Sequence, residues 1–173
     1  MTDYQMLVLD IDDTLMTSEN TISDATYQAL MKAQEQGKKV VLASGRPTPS
    51  MIETAKQLKL DYFDSYIISF NGAAITSMAD GQELFNQRLE AEAQDDIVQY
   101  IQAKGLTVLT YMDEYVVMDK PNDYSHIESQ LTGIPDRYDP EAIANLSQLA
   151  KARMKFIGVG DPDLVAAADA ELK

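Results

Sequence analysis

Two carboxylates one residue apart, Asp10 and Asp12, directly follow an apolar run over residues 4–9. Such a run reads as a strand covered on both faces, which puts the pair at its C-terminal tip. One carboxylate can attack there while its neighbour handles a proton. A carboxylate is a competent nucleophile toward phosphorus once a divalent cation offsets the substrate's charge, and an adjacent acid can protonate the leaving oxygen and then activate water. Mg2+ is the natural ion, being hard and oxygen-loving. The spacing alone serves a turn or a helix cap equally well, because Asp is common in both. Two more polar clusters follow apolar runs. Ser44-Gly45-Arg46 offers a hydroxyl, a flexible backbone N–H and a guanidinium, a set able to hold phosphate oxygens, although a plain loop with a surface Arg has the same composition. Asn71-Gly72 supplies a third polar contact or simply a common turn dipeptide.

The surrounding elements must bring these clusters together. Thr21 or Ser23 can cap a helix through Gln36 with Gly37 behind it, residues 39–43 read as a second buried strand, and residues 50–60 carry a second helical stripe. Residues 66–70 form a third strand. A β-α-β-α-β succession of this spacing predicts a parallel sheet with right-handed crossovers, and its polar residues sit at the strand ends where open α/β sheets bind ligands. Residues 73–76 and 84–87 read as a hairpin across Asp80-Gly81. Beyond it the pattern changes to an α+β layer: a helix over 90–104, an antiparallel pair over 106–111 and 115–119, helices over 123–131 and 139–150, a strand over 154–159, and a last helix from Asp161-Pro162. The division is placed at 1–84 and 85–173.

In order and spacing, residues 9–15 (Leu-Asp-Ile-Asp-Asp-Thr-Leu), Ala43-Ser44-Gly45-Arg46 and Ser69-Phe70-Asn71-Gly72-Ala73 resemble the haloacid-dehalogenase-like superfamily of phosphatases, in particular its Cof-type sugar-phosphatase-like branch. The likeness covers essentially the whole chain. It implies an α/β fold, a partial Rossmann-like core with an inserted α+β cap. Asp10 would be the nucleophile that becomes an aspartyl phosphate, and Asp12 the general acid/base. Both would hold Mg2+, Asp12 through its backbone carbonyl. Ser44 would bond the phosphoryl group, Thr14 would lie near it, and Gly45, Arg46, Asn71 and Gly72 would shape the pocket. Asp13 stands where the family often has Gly. The implied substrate is a small phosphorylated metabolite such as a sugar phosphate, and the cap would select the leaving group.

The likeness also shows what is missing. The family's chain returns from the cap with a Lys and a second acidic motif, and neither segment is here. Lys155 reads as a cap residue, and Gly160-Asp161-Pro162-Asp163 as a helix start. The chain therefore reads as the first portion of a longer enzyme, with weaker Mg2+ binding and turnover than a complete relative. It would leave the first strand with an unpaired edge, which predicts a homodimer covering that edge. A non-catalytic fragment or binding module, or a phosphotransferase using the same intermediate, are the alternatives. A receiver-like domain fits poorly, because receivers lack a cap-sized appendix.

Composition narrows the partners. The 173 residues carry 14 Lys+Arg against 28 Asp+Glu, a formal net charge of −14, which argues against nucleic acid or an anionic membrane surface. Without Cys there is neither a thiolate nucleophile nor a disulfide, and no basic signal flank opens the chain, so a cytoplasmic setting is expected. His126 stands alone and reads as a surface residue.

Overall fold

The computed structural model describes residues 4–149 and 152–172. They form two compact units that divide between Gln87 and Arg88. The first is a five-stranded sheet in the order β1 (Met6–Leu9), β2 (Lys39–Ala43), β3 (Tyr66–Ser69), β4 (Ala74–Ser77), β5 (Glu83–Asn86). β1, β2 and β3 run parallel, with Leu9 opposite Leu42 and Ala43 opposite Ile68, while β3, β4 and β5 are joined antiparallel. Helices α1 (Asp24–Glu35) and α2 (Thr48–Gln57) make the crossovers. The Ser23 hydroxyl opens α1 by accepting the Thr26 N–H at 3.2 Å. The core gathers Val40, Leu42 and Ile67 from the sheet with Leu30 of α1 and Met51 and Ala55 of α2.

Two expectations need correction. The apolar stripe assigned to one helix over 50–60 outruns α2, which ends at Gln57. Leu58 and Leu60 are buried from the turn that follows, where Lys59 is left-handed (φ 55°) and the Leu60 N–H returns to the Ala55 carbonyl at 3.0 Å. β1 is not covered on both faces. It is the sheet's outer strand, in keeping with the unpaired edge expected of it, and Met6, Leu7 and Val8 are 49%, 37% and 52% exposed. Apolar composition records which faces a strand can bury, not which neighbours are there to bury them.

The second unit is a sheet in the order β8 (Asp136–Tyr138), β7 (Tyr115–Met118), β6 (Thr107–Met112), β9 (Phe156–Val159), with α3 (Ala91–Ala103), α4 (Ile127–Thr132), α5 (Pro140–Ala144) and α6 (Pro162–Leu172). Residues of β6 point alternately into two apolar clusters, Val108 and Met112 with Val98 and Ile101 of α3, and Leu109 with Val116 and Met118 of β7. β6 is thus buried on both faces. Buried Gln94 ties the start of α3 to the chain before β9, accepting the Arg153 N–H at 2.9 Å and donating to the Leu89 carbonyl at 3.3 Å. The polar strand β8 was not predicted: Asp-Arg-Tyr has no apolar alternation, and it is held by parallel pairing to β7. The helix expected over 139–150 breaks after Ala144 into a tight turn at Leu146–Gln148, and its final residue, Ala150, lies outside the described residues. Asp161 does open α6, its carboxylate accepting the Asp163 N–H at 2.9 Å. Among the described residues no helix is long and apolar enough to cross a membrane.

The contrast between β1 and β2 is measurable. Leu42→Ala, at a fully buried position, should lower unfolding free energy in urea by about 2–5 kcal/mol. Val8→Thr on the outer strand, measured at concentrations where the protein is monomeric, should change it by less than about 0.5 kcal/mol; comparable losses from both would mean that β1 is covered within the monomer.

Candidate active site

The parallel pairing sets the C-terminal ends of β1, β2 and β3 side by side, so the residues after Leu9, Ala43 and Ser69 share one edge of the sheet. After β1 the chain makes a wide turn instead of an ordinary helix. The Leu15 N–H bonds the Asp10 carbonyl at 3.2 Å and the Met16 N–H bonds the Ile11 carbonyl at 3.0 Å. Ile11 and Leu15 are buried and pin this turn from below, leaving Asp10, Asp12, Asp13 and Thr14 on its exposed side. Wide turns of this kind recur at functional sites. Asp13 sits in the left-handed region (φ 56°), which gives a physical reason for Gly at the matching place in the family it resembles. Asp is among the few non-glycine residues that visit this region routinely.

Arg46 reaches from the second loop to Asp12. Its Nε donates to one carboxylate oxygen at 3.0 Å and its Nη2 to the other at 2.6 Å, a two-pronged ion pair. The Arg46 side chain is only 15% exposed and that of Asp12 52%. With one partner half in water, such a pair contributes about 0.2–1 kcal/mol, so it fixes geometry more than it stabilises the fold. The loop itself is braced: the Ser44 hydroxyl accepts the Arg46 N–H at 3.1 Å, and the Ser44 N–H bonds the Ile68 carbonyl at 2.9 Å.

The third loop is strained. Phe70, Asn71 and Gly72 have φ of 53°, 56° and 93° in succession. Gly tolerates this freely, whereas a bulky residue such as Phe pays on the order of 1–3 kcal/mol. Cross-links to the second loop hold the conformation, with the Phe70 N–H on the Arg46 carbonyl at 2.9 Å and the Asn71 N–H on the Ser44 carbonyl at 3.2 Å. The Asn71 carboxamide then lies over Gly45: a Cβ there would stand 2.6 Å from Asn71 Oδ1. Gly45 is needed for close approach, a role that sequence alone left indistinct from loop flexibility.

Two neighbours escaped the sequence reading. Thr48 Oγ1 and Ser69 Oγ lie 2.6 Å apart beneath the loops, and Ser69 is fully buried. The available signal was a hydroxyl on the inward-facing position of a strand, which needs a partner once covered. The structure thus brings the clusters of Asp10, Asp12 and Thr14, of Ser44, Gly45 and Arg46, and of Asn71 and Gly72 to adjacent strand ends. Among the described residues no three His, Cys, Asp or Glu side chains gather as a metal cage. His126 lies in the other unit, exposed and paired with Asp136. Lys155 likewise belongs there, 3.8 Å from Glu128, as expected of a cap residue.

An α/β core whose mixed sheet has acidic residues at the tip of a parallel strand, followed by an α+β unit, defines the class. The sequence pattern of the haloacid dehalogenase-like hydrolases matches residues 7–163. The chain belongs to that family. A Streptococcus pyogenes serotype M6 protein, M6_Spy0533, named provisionally as a phosphatase, is 30% identical over 95% of this chain and 60% of its own length. The Bacillus subtilis protein YcsE, a 5-amino-6-(5-phospho-D-ribitylamino)uracil phosphatase, is 36% identical over 42% of this chain and 28% of its own. Among solved structures, a haloacid dehalogenase-like hydrolase from Bacteroides thetaiotaomicron superposes with a TM-score of 0.85 at 28% identity, covering 98% of this chain and 63% of that one. TM0651 from Thermotoga maritima, at 22% identity and a TM-score of 0.77, shares the fold over 98% of this chain and 61% of its own. The chain spans about three fifths of the length of these two full-chain matches and of the streptococcal protein.

Gly45→Ala should displace Asn71 and destabilise the protein by about 1–3 kcal/mol, the usual range for overpacking. In an Asn71→Gly background the same substitution should have a much smaller effect; strict additivity of the two would show that the side chains do not meet.

Proposed function

We propose that this chain has the chemistry of a Mg2+-dependent phosphomonoester hydrolase of the Cof type, with Asp10 as its nucleophile, acting on small phosphorylated metabolites. The observation that carries the reading is the meeting of Asp12 with Arg46 two residues beyond Asp10, at the shared edge of three parallel strands. Family membership supports the class of chemistry, and the phosphatase names of the relatives support a phosphate ester as substrate.

In this reading Asp10 attacks phosphorus through a carboxylate oxygen. The bond from phosphorus to the leaving oxygen breaks, and Asp12 gives that oxygen its proton. Asp12 then takes a proton from water as the water oxygen attacks the phosphorus of the aspartyl phosphate, which returns the Asp10 carboxylate and releases inorganic phosphate. Ser44 and the backbone N–H groups of its loop bond phosphoryl oxygens, with Thr14, Gly45, Asn71 and Gly72 bounding the pocket. The donors at hand suit Mg2+: the Asp10 carboxylate and the Asp12 backbone carbonyl are hard oxygens, and this ion is commonly held by one or two carboxylates completed by substrate phosphate and water. When bound, the ion offsets negative charge on the phosphoryl group. The Asp12 carboxylate takes no part in holding the ion and has the role of proton transfer. The second unit acts as the cap that chooses the leaving group.

Hydrolysis of an aryl phosphate in Mg2+ should fall by at least about 10^3-fold in Asp10→Asn and stop on chelation of the ion; turnover that survives Asp10→Asn would refute the assignment. The half-exposed outer strand supports self-association of two copies of this chain. Sedimentation equilibrium should then show a concentration-dependent dimer that Val8→Lys dissolves, and a monomer at every concentration would exclude it.

A further inference from the structure

The resting geometry holds the proton carrier in the wrong company. Both oxygens of Asp12 are gripped by Arg46, at 3.0 and 2.6 Å, so the carboxylate that should meet a leaving oxygen is instead turned to a guanidinium. The two partners are unequally fixed. Arg46 is largely covered, and its backbone is tied at both ends, N–H to the Ser44 hydroxyl and carbonyl to the Phe70 N–H. Asp12 is half exposed, its side chain standing on the open side of its turn. If the pair opens, Asp12 is the member that moves.

We propose that Arg46 is a positioning residue that parks Asp12 in the resting protein and is taken over by the phosphate group of the incoming substrate, which frees the Asp12 carboxylate. The inference rests on the reading of Asp12 as acid/base. A planar guanidinium fork fits phosphate as well as carboxylate, and a phosphate dianion brings more charge to it than Asp12 does. An ion pair half in water is weak enough to be exchanged, which a buried one would not be. No covalent bond changes in this step. One fork is passed from one anion to another.

Phosphate and Asp12 therefore compete for Arg46, and competition leaves a signature distinct from ordinary charge repulsion. The test follows the Arg46 Nε–H resonance in the 15N-labelled whole chain, assigned with Arg46→Lys, during titration with inorganic phosphate in Mg2+ at constant ionic strength. The resonance should move saturably with phosphate. Asp12→Asn should tighten phosphate by about fivefold, the upper range for an exposed pair, while Asp13→Asn, which removes the same charge one residue away, should change it by less than about twofold. In an Arg46→Lys background the advantage of Asp12→Asn over Asp13→Asn should vanish. Equal effects of the two substitutions in the parent protein, or an Arg46 resonance that ignores bound phosphate, would overturn the proposal. Aryl phosphate turnover of the parent and Asp10→Asn, run alongside, separates the two readings: saturable phosphate binding and Asp10-dependent turnover with a stationary Arg46 refute only the exchange, whereas no phosphate binding at any concentration removes both.

Discussion

Parallel registration of three short strands is the constraint on which the site depends. Because Leu9 lies opposite Leu42 and Ala43 opposite Ile68, three loops far apart in sequence leave the sheet at the same edge and can be bonded to one another. The Arg46 fork on Asp12 spans 34 residues of chain, yet it requires only that β1 and β2 end level. A slip by one residue would turn every buried side chain of a strand to the opposite face and carry its loop out of reach. The core of Val40, Leu42 and Ile67 holds that register, so packing well below the site decides whether its carboxylates and cation meet.

Backbone strain also occurs in the same place. Asp13, Phe70 and Asn71 all adopt left-handed conformations, and nothing in ordinary turn chemistry favours Phe there. The hydrogen bonds from Phe70 and Asn71 to the carbonyls of Arg46 and Ser44 offset the penalty and lock the third loop to the second. The result is a rim assembled from two loops that are individually adaptable and jointly fixed. Gly45 completes it by leaving room for Asn71. Preorganisation of this kind is what a site for a charged group requires, since donors already in place need not reorganise when the charge arrives.

The two units differ in how their sheets are closed. In the second, β6 is central and covered by apolar clusters on both faces. In the first, β1 leads into the turn of Asp10 and Asp12 and is also the outer strand, with three consecutive half-exposed apolar residues. Rigid, well-buried elements position functional groups more tightly than an open edge strand does. The wide turn after β1 answers part of that need through its buried Ile11 and Leu15.

Much was readable in the residues themselves. The order of strands and helices, the cap of α1 at Ser23, the start of α6 at Asp161 and the polar clusters after each of the first three strands all follow from local chemistry: apolar period, capping side chains, and Pro and Gly at element ends. Local patterns record what each segment can do with its immediate neighbours in the chain. They could not show that Arg46 reaches Asp12, that Phe70 is left-handed, that Asn71 rests on Gly45, or that Thr48 and Ser69 pair, since each depends on two segments brought together by strand register. Nor could they reveal β8, whose three polar residues become a strand only because β7 offers an edge. Chain composition set the kinds of contact available; the tertiary fold chose the partners, because pairing across a sheet is decided by distance in space and leaves no mark on spacing along the chain.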